Sequence, residues 1–327
     1  MLAYMGRRIL GMIPTLFIVS VVTFIIIQLP PGDFFTTRAI EIAMSGGGQD
    51  KETVLKMQER YGLDKPLYVQ YWRWVSGFPR GDFGYSLEWN SPVLPIVMKR
   101  MWYTLQVGGL SLLFMVAVAV PIGIYSATHQ YSFGDHALSL IGFLGLSLPG
   151  FLLALLWMFL GIIVLRIPVG GELSKSMADQ PWNLAKVLDY LNHLWPPAVI
   201  LGLASTAQLQ RIMRGNLLDV MGQQFITTAR AKGLKEKQVV NKYGVRAAIN
   251  PLISVMAMEI PKIISESTIV GIVMSVPTTG PLLWRALETQ DMYLAGTFLL
   301  FMTLLLMVAN LLADMALAWA DPRIVYT

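Results

Sequence analysis

Three ionisable side chains, Glu259, Lys262 and Glu266, interrupt the apolar stretch MEIPKIISES of this 327-residue chain. Spacings of three and four put them on one face of a helix, with the ammonium between two carboxylates. In lipid a lone charge at the bilayer centre costs at least about 2.5–3.5 kcal/mol, so such a face must meet a partner helix or a watery cavity. The residues leave two readings open: a cluster that neutralises itself at a subunit interface, or the polar lining of a path across the membrane. Pro261 in the same stretch predicts a kink. Asn310 and Asp314, also one turn apart, read as a structural pair.

Catalytic chemistry finds no footing. The chain has no cysteine, which excludes disulfides, thiol catalysis and cysteine metal sites. His129, His136 and His193 show no ligand spacing, so no metal site is expected. The stretch GGELSKS (170–176) looks faintly like a phosphate-binding loop. The pattern G-x-x-x-x-G-K-[ST] would need glycines at 169 and 174, where Val169 and Ser174 stand. No H-E-x-x-H, no G-x-S-x-G and no paired aspartates on a span face occur. The chain therefore reads as a non-enzyme without catalytic residues or a bound cofactor. No basic patch with interleaved aromatics points to nucleic acid.

The elements that must carry Glu259, Lys262 and Glu266 are membrane helices. The chain is 55% hydrophobic and 14% charged, with a mean hydropathy of +0.56, against about 25% charged in a soluble domain. Runs of about 20 apolar residues are the length that crosses a bilayer. Six are found, at about 9–29, 101–127, 136–165, 196–214, 251–276 and 293–320. The fourth is the least apolar, since it contains Gln208 and Gln210. The fold class is all-α, a polytopic membrane protein. The first run follows Arg7 and Arg8 but is too long for a signal core, and PPGDFF replaces a cleavage site, so it reads as an uncleaved anchor. GLSLPGF in the third run could break that helix.

Orientation follows from the short loops. Residues 215–250 hold six Lys/Arg against two acidic residues, the loop 166–195 is balanced, and 277–291 is net acidic. Positive loops stay cytoplasmic, which puts both termini and the 215–250 loop inside. The long segment 30–100, with nine basic and eight acidic residues, lies outside, because long loops translocate regardless of charge. Trp102, Tyr103, Trp195 and Trp319 fall near span ends, where an interfacial aromatic belt belongs. The chain is thus divided into 1–29 (terminus and first span), 30–100 (extracytoplasmic segment) and 101–327 (membrane core with the 215–250 loop).

Inside that loop stands TTARAKGL (227–234). As one helix with the residues before it, Met221, Phe225, Ala229 and Gly233 stack at i, i+4. Phe225 offers an apolar knob, while Ala229 and Gly233 let another surface approach the backbone. Gly233 suits a helix end. The block is either an amphipathic turn on the membrane surface or a docking helix for a cytoplasmic partner.

TTARAKGL followed by NKYGVRAAINPL resembles the EAA loop of permease subunits of ATP-binding-cassette (ABC) importers, of the oligopeptide/dipeptide type. RRILGMIPTLFIVSVVTFIIIQLPPGD (7–33) is similar to their first span and its exit. RYGLDKPLYVQYWRWVSGFPRGDFGYSL (60–87) resembles their external segment, and DPRI (321–324) their closing motif. The resemblance spans nearly the whole chain in order.

It implies a bacterial inner-membrane permease, one half of a translocation pathway. The other half would be a second permease, usually a different one. Two cytoplasmic ATPases would carry ATP and Mg, and an extracytoplasmic solute-binding protein would deliver a peptide. Relatives of this type also import oligosaccharides, nickel complexes or opine-like compounds; a secondary transporter is the alternative from another class. The resemblance assigns ATPase coupling to Phe225, Thr228, Ala229, Arg230, Ala231, Lys232, Gly233 and Leu234. Three departures from the family pattern stand out. VPTTG (276–280) replaces LPG-G, Gly271 stands where a glutamate is frequent, and Thr228 replaces the Glu that opens the EAA block.

Overall fold

The computed structural model describes residues 2–29, 65–165, 167 and 169–320. PPGD, the beginning of the external segment up to residue 64, and DPRI lie outside the described residues. The chain divides into two compact units, 1–102 with 281–308 and 103–280 with 309–327.

In the first unit, α1 (Leu2–Gln28) and the start of α10 (Met292–Ala320) pack with α2 (Leu67–Gly77) on an aromatic cluster. Trp74 of α2 is its centre. Its ring meets Phe24 and Phe78, and its indole Nε1 donates to Thr297 Oγ1. Thr297 in turn donates to the Phe83 carbonyl at 3.1 Å. Gly296 leaves room for the indole, since a Cβ there would lie 2.9 Å from the ring. A short antiparallel hairpin, β1 (Tyr85–Ser86) and β2 (Ser91–Pro92), follows α2. The buried Asp291 carboxylate accepts from Ser86 Oγ at 2.6 Å and from the Glu88 amide at 3.2 Å. Its other oxygen accepts from the Leu294 amide at 3.2 Å, which caps α10.

The second unit is built around α6 (Leu184–Met221), which packs on α4 (Phe133–Ser147), α5 (Gly150–Phe159) and α8 (Asn250–Val273). Asn183 caps its start by accepting from the Lys186 amide. The Lys186 ammonium is spent on the carbonyls of Ala178 and Gln180, so the preceding loop is fastened to the helix. Asp189 accepts from both the amide and the hydroxyl of Ser174. The glycines of GGELSKS have a structural role as well. Gly170 and Gly171 adopt φ of +80° and +76°, and Gly171 N donates to the Met274 carbonyl beyond the end of α8. A Cβ on Gly170 would lie 2.1 Å from that oxygen, so only glycine fits.

The spans depart from expectation in three ways. Among the described residues, α1, α3 (Val93–Thr128) and α10 are long and apolar enough to cross a membrane singly; counting each of two bent pairs as one span gives up to five, against the six expected. The predicted fourth span lies in α6, which is not among them. Its buried face includes Ser205, Thr206 and Gln210, because it meets protein on several sides and so does not need to be apolar all round. The third span is broken at Pro149: α4 and the stretch from Gly150 to Leu165 meet at 100°. At Pro261, by contrast, α8 is continuous, and the predicted kink is instead a 45° bend just before residue 250. The second span also starts earlier than read, at Val93.

Candidate functional site

Two polar regions of the second unit hold the residues singled out above. The first is the block after α6. Helix α6 stops at Met221, and Gln223 is extended before α7 (Gln224–Ala231) begins. Met221 therefore does not share a helix with Phe225, which corrects the expected four-residue stack. Ile226 and Ala229 of α7 are buried against Val239, with Val220, Met221, Leu234 and Tyr243 around them. Ala229 faces inward, not toward a partner. The i, i+4 spacing from Phe225 places Ala229 outside, but Ile226, three residues before it, shares its face and turns it toward Val239.

What faces outward is Gln224, Thr228 and Ala231, with Phe225 and Lys232 along one margin. Gly233 has φ of +76°, and its amide closes the turn on the Arg230 carbonyl at 2.9 Å. This is the left-handed helix end that its position predicted. No heavy atom outside its chain neighbours lies within 4 Å of where a Gly233 Cβ would sit, so bulk there would project outward. Arg230 grips Glu236 through two bonds, Nε to Oε2 at 3.1 Å and Nη2 to Oε1 at 2.7 Å. That pair holds the Glu236 carboxyl below the usual carboxylate range and occupies Arg230. Lys232 is then the exposed cation of the block. The backbone behind is held by Gly244, where a Cβ would come 3.1 Å from Leu217 and Met221.

The second region is α8. Glu259 is buried and accepts from Ser205 Oγ of α6. Lys262 Nζ stands 3.4 Å from Glu259 Oε2, a pair one turn apart as the spacing predicted. Glu266 is half-buried and, among the described residues, has no ion-pair or hydrogen-bond partner. The trio therefore resolves into one closed pair and one open carboxylate. The Ser205 contact lay beyond sequence reasoning, since nothing in the spacing of α6 marks which serine meets α8. Met258, Ser265, Ile269 and Ile272 form an exposed stripe along α8, with the half-exposed Lys262 among them. A half-exposed ammonium in mid-span requires water or a further protein surface there. Asn310 is exposed and Asp314 half-buried on α10.

After α8 the VPTTG element, which leads into α9 (Thr279–Glu288), is knotted rather than loose. Thr278 Oγ1 donates to the Ser267 carbonyl at 3.2 Å, and the Thr279 amide to Thr104 Oγ1 at 2.9 Å. A Cβ on Gly280 would meet Thr268 Cα at 2.3 Å. Thr278, which stands in place of the glycine of LPG-G, and its neighbour Thr279 thus serve as hydrogen-bonding pegs to α8 and α3.

Comparison with known proteins decides what kind of membrane protein this is. The family described as binding-protein-dependent transport system inner membrane component matches residues 119–326, and its N-terminal counterpart matches residues 1–108. The chain belongs to this family. It is a multi-pass permease subunit of the inner membrane, of the ABC-importer type that TTARAKGL pointed to. It is 34% identical over 328 residues to the oligopeptide transport system permease protein AppB of Bacillus subtilis, covering all of both chains. Against the glutathione transport system permease protein GsiC of Escherichia coli K12 the identity is 32% over 326 residues, again covering both chains. Among solved structures, the permease resembles a chain of the inward-facing MetNI methionine ABC transporter. The TM-score is 0.54 at 16% identity, covering 70% of this chain and 97% of that one. That likeness speaks to fold alone.

Proposed function

We propose that this permease forms half of the pathway of an ATP-driven importer for peptides. Its partners in this reading are a second, non-identical permease, two cytoplasmic ATPases that supply ATP and Mg chemistry, and an extracytoplasmic solute-binding protein. The peptide assignment rests on full-length similarity to relatives named for oligopeptide and glutathione transport. Both termini and the 215–250 loop lie in the cytoplasm, following the excess of basic residues in that loop.

The observation that carries the coupling role is the outward face of α7. Phe225, Thr228 and Ala231 are exposed on a helix whose other face is fixed by Ile226, Ala229 and Val239. A short helix with small outward residues and a rigid backing transmits a push without deforming, as rigid-body switching requires. Arg230 holds the block closed through Glu236, Lys232 supplies exposed positive charge, and Gly233 and Leu234 shape its exit. Of the trio Glu259, Lys262 and Glu266, the half-exposed Lys262 and Glu266 face the pathway in this reading, with Glu259 buried behind Lys262 as its counter-charge.

The test is a tagged copy of the chain, solubilised gently from its native membrane, with mass spectrometry of what co-purifies. A second permease and one or two ATPases are expected. A chain recovered alone or only with copies of itself, in every detergent tried, overturns the importer reading.

A further inference from the structure

A polar crevice between α4 and α6 plays no part in coupling or in the α8 face. It exists because residue 142 has no side chain: a Cβ there would come 3.1 Å from Gln210 Oε1. The resulting cavity of about 200 Å³ is lined by Ser139, Phe143, Leu146, Gln210, Arg211 and Arg214, among others. Its polar groups are mostly unused donors. Gln210 is only 5% exposed, and neither it nor Ser139 has a hydrogen-bond partner among the described residues. Arg214 Nη2 donates to Asp135 Oδ2 at 3.0 Å, yet its Nε is buried without an acceptor. Arg211 is exposed and has no ion-pair partner among the described residues. Arg214 and Asp135 neutralise each other, although Asp135 Oδ1 is also buried without a donor, so the unbalanced positive charge of the crevice is that of Arg211.

By helix rise, Arg214 and Arg211 lie about 10 and 15 Å from the end of α6 that leads into the coupling block. That is the inner side of the span in the orientation proposed above. Arg211 stands at the inner edge of the span without a counter-charge among the described residues, and an oxyanion answers both its charge and the unpaired Gln210 amide. The mouth of the crevice carries the exposed apolar side chains of Phe143 and Leu146, which suit a ligand with a hydrocarbon part. Basic pockets between membrane helices on the cytoplasmic side are where acidic headgroups settle.

We infer that this crevice binds the phosphate of an anionic phospholipid from the inner leaflet. Arg211 and the Gln210 amide hold the oxygens, the Asp135-bound Arg214 adds positive charge behind them, and an acyl chain lies along Phe143 and Leu146.

Native mass spectrometry of the purified transporter, titrated with phosphatidylglycerol and separately with phosphatidylethanolamine, tests the assignment. Selective retention of phosphatidylglycerol is expected. Arg211→Gln should weaken it about fivefold, in keeping with the contribution of one cation to an anionic lipid, while Arg211→Lys keeps most of the binding. Gly142→Leu should fill the crevice and abolish retention. Because Arg211 is exposed, its variants fold even where Gly142→Leu does not. Equal retention of the two lipids, or unchanged binding in Arg211→Gln, overturns the inference. Displacement of phosphatidylglycerol by inorganic phosphate identifies a soluble oxyanion as the ligand and overturns the lipid assignment.

Discussion

The coupling block and the α8 face lie in the same unit and each holds an ion pair, but charge means different things in the two places. Arg230–Glu236 sits in water, with both side chains largely exposed. Glu259–Lys262 joins a buried carboxylate to a half-exposed ammonium in an apolar helix. Solvent and salt screen the first pair, so its geometry matters more than its energy. The second has little solvent to fall back on, and removing one partner strands the other. The lesson is that the block is held by its small apolar core and uses charge at its surface. The α8 face uses charge as an internal constraint.

The sharpest break in that contrast is Glu259→Leu. It should destabilise the solubilised protein by about 3 kcal/mol, the low end for a broken buried pair because Lys262 is partly wet, read as a lower thermal melting point. The double substitution Glu259→Leu with Lys262→Met should recover most of the loss. If the single variant melts like wild type, Glu259 is not held as a charged partner. Next in size is Ile226→Ala. Emptying the centre of the block should cost about 2–3 kcal/mol locally, seen as faster hydrogen exchange over 224–243 while exchange in α6 stays unchanged. Ala231→Trp should leave both melting and exchange within about 0.5 kcal/mol of wild type, as a surface change does, while transport falls to background. Retained transport in that variant would sink the docking face. Gly233→Trp is a poorer probe, since φ of +76° strains any large side chain there.

A smaller effect separates the loop clasp of α6 from both. Burial would raise the Asp189 carboxyl, but two hydrogen bonds from Ser174 and the nearby His193 outweigh it and hold it below its ordinary value of 3.8. Stability from a depressed carboxyl is present above the unfolded value and is lost as pH falls through the folded one. A modest fall in melting point below about pH 4 is therefore expected, and Asp189→Asn should flatten it. The smallest change belongs to Arg230→Gln. It should be milder than Ile226→Ala and should vanish as salt is raised, with hydrogen exchange of α7 as the readout.

Much of this was legible in the chain. Motif order gave the family, and spacing correctly paired Lys262 with Glu259. The helix end at Gly233 followed from glycine's freedom at positive φ. Phase within short helices was not legible. An eight-residue helix offers one buried position per turn, so ignoring Ile226 rotated Ala229 to the outside. The α6 span was only weakly legible, because a helix packed on several others keeps polar residues that meet protein. The crevice at Gly142 was not legible at all, since it depends on which residues of α6 lie opposite a missing side chain.

Asp291 has a mechanical consequence. One carboxylate holds the hairpin through Ser86 and Glu88 and the first turn of α10 through Leu294. There is no slack between them. A body that lands on the hairpin and tilts it must tilt the head of the last membrane helix by the same amount, so this end of the permease behaves as a crank with a single pin.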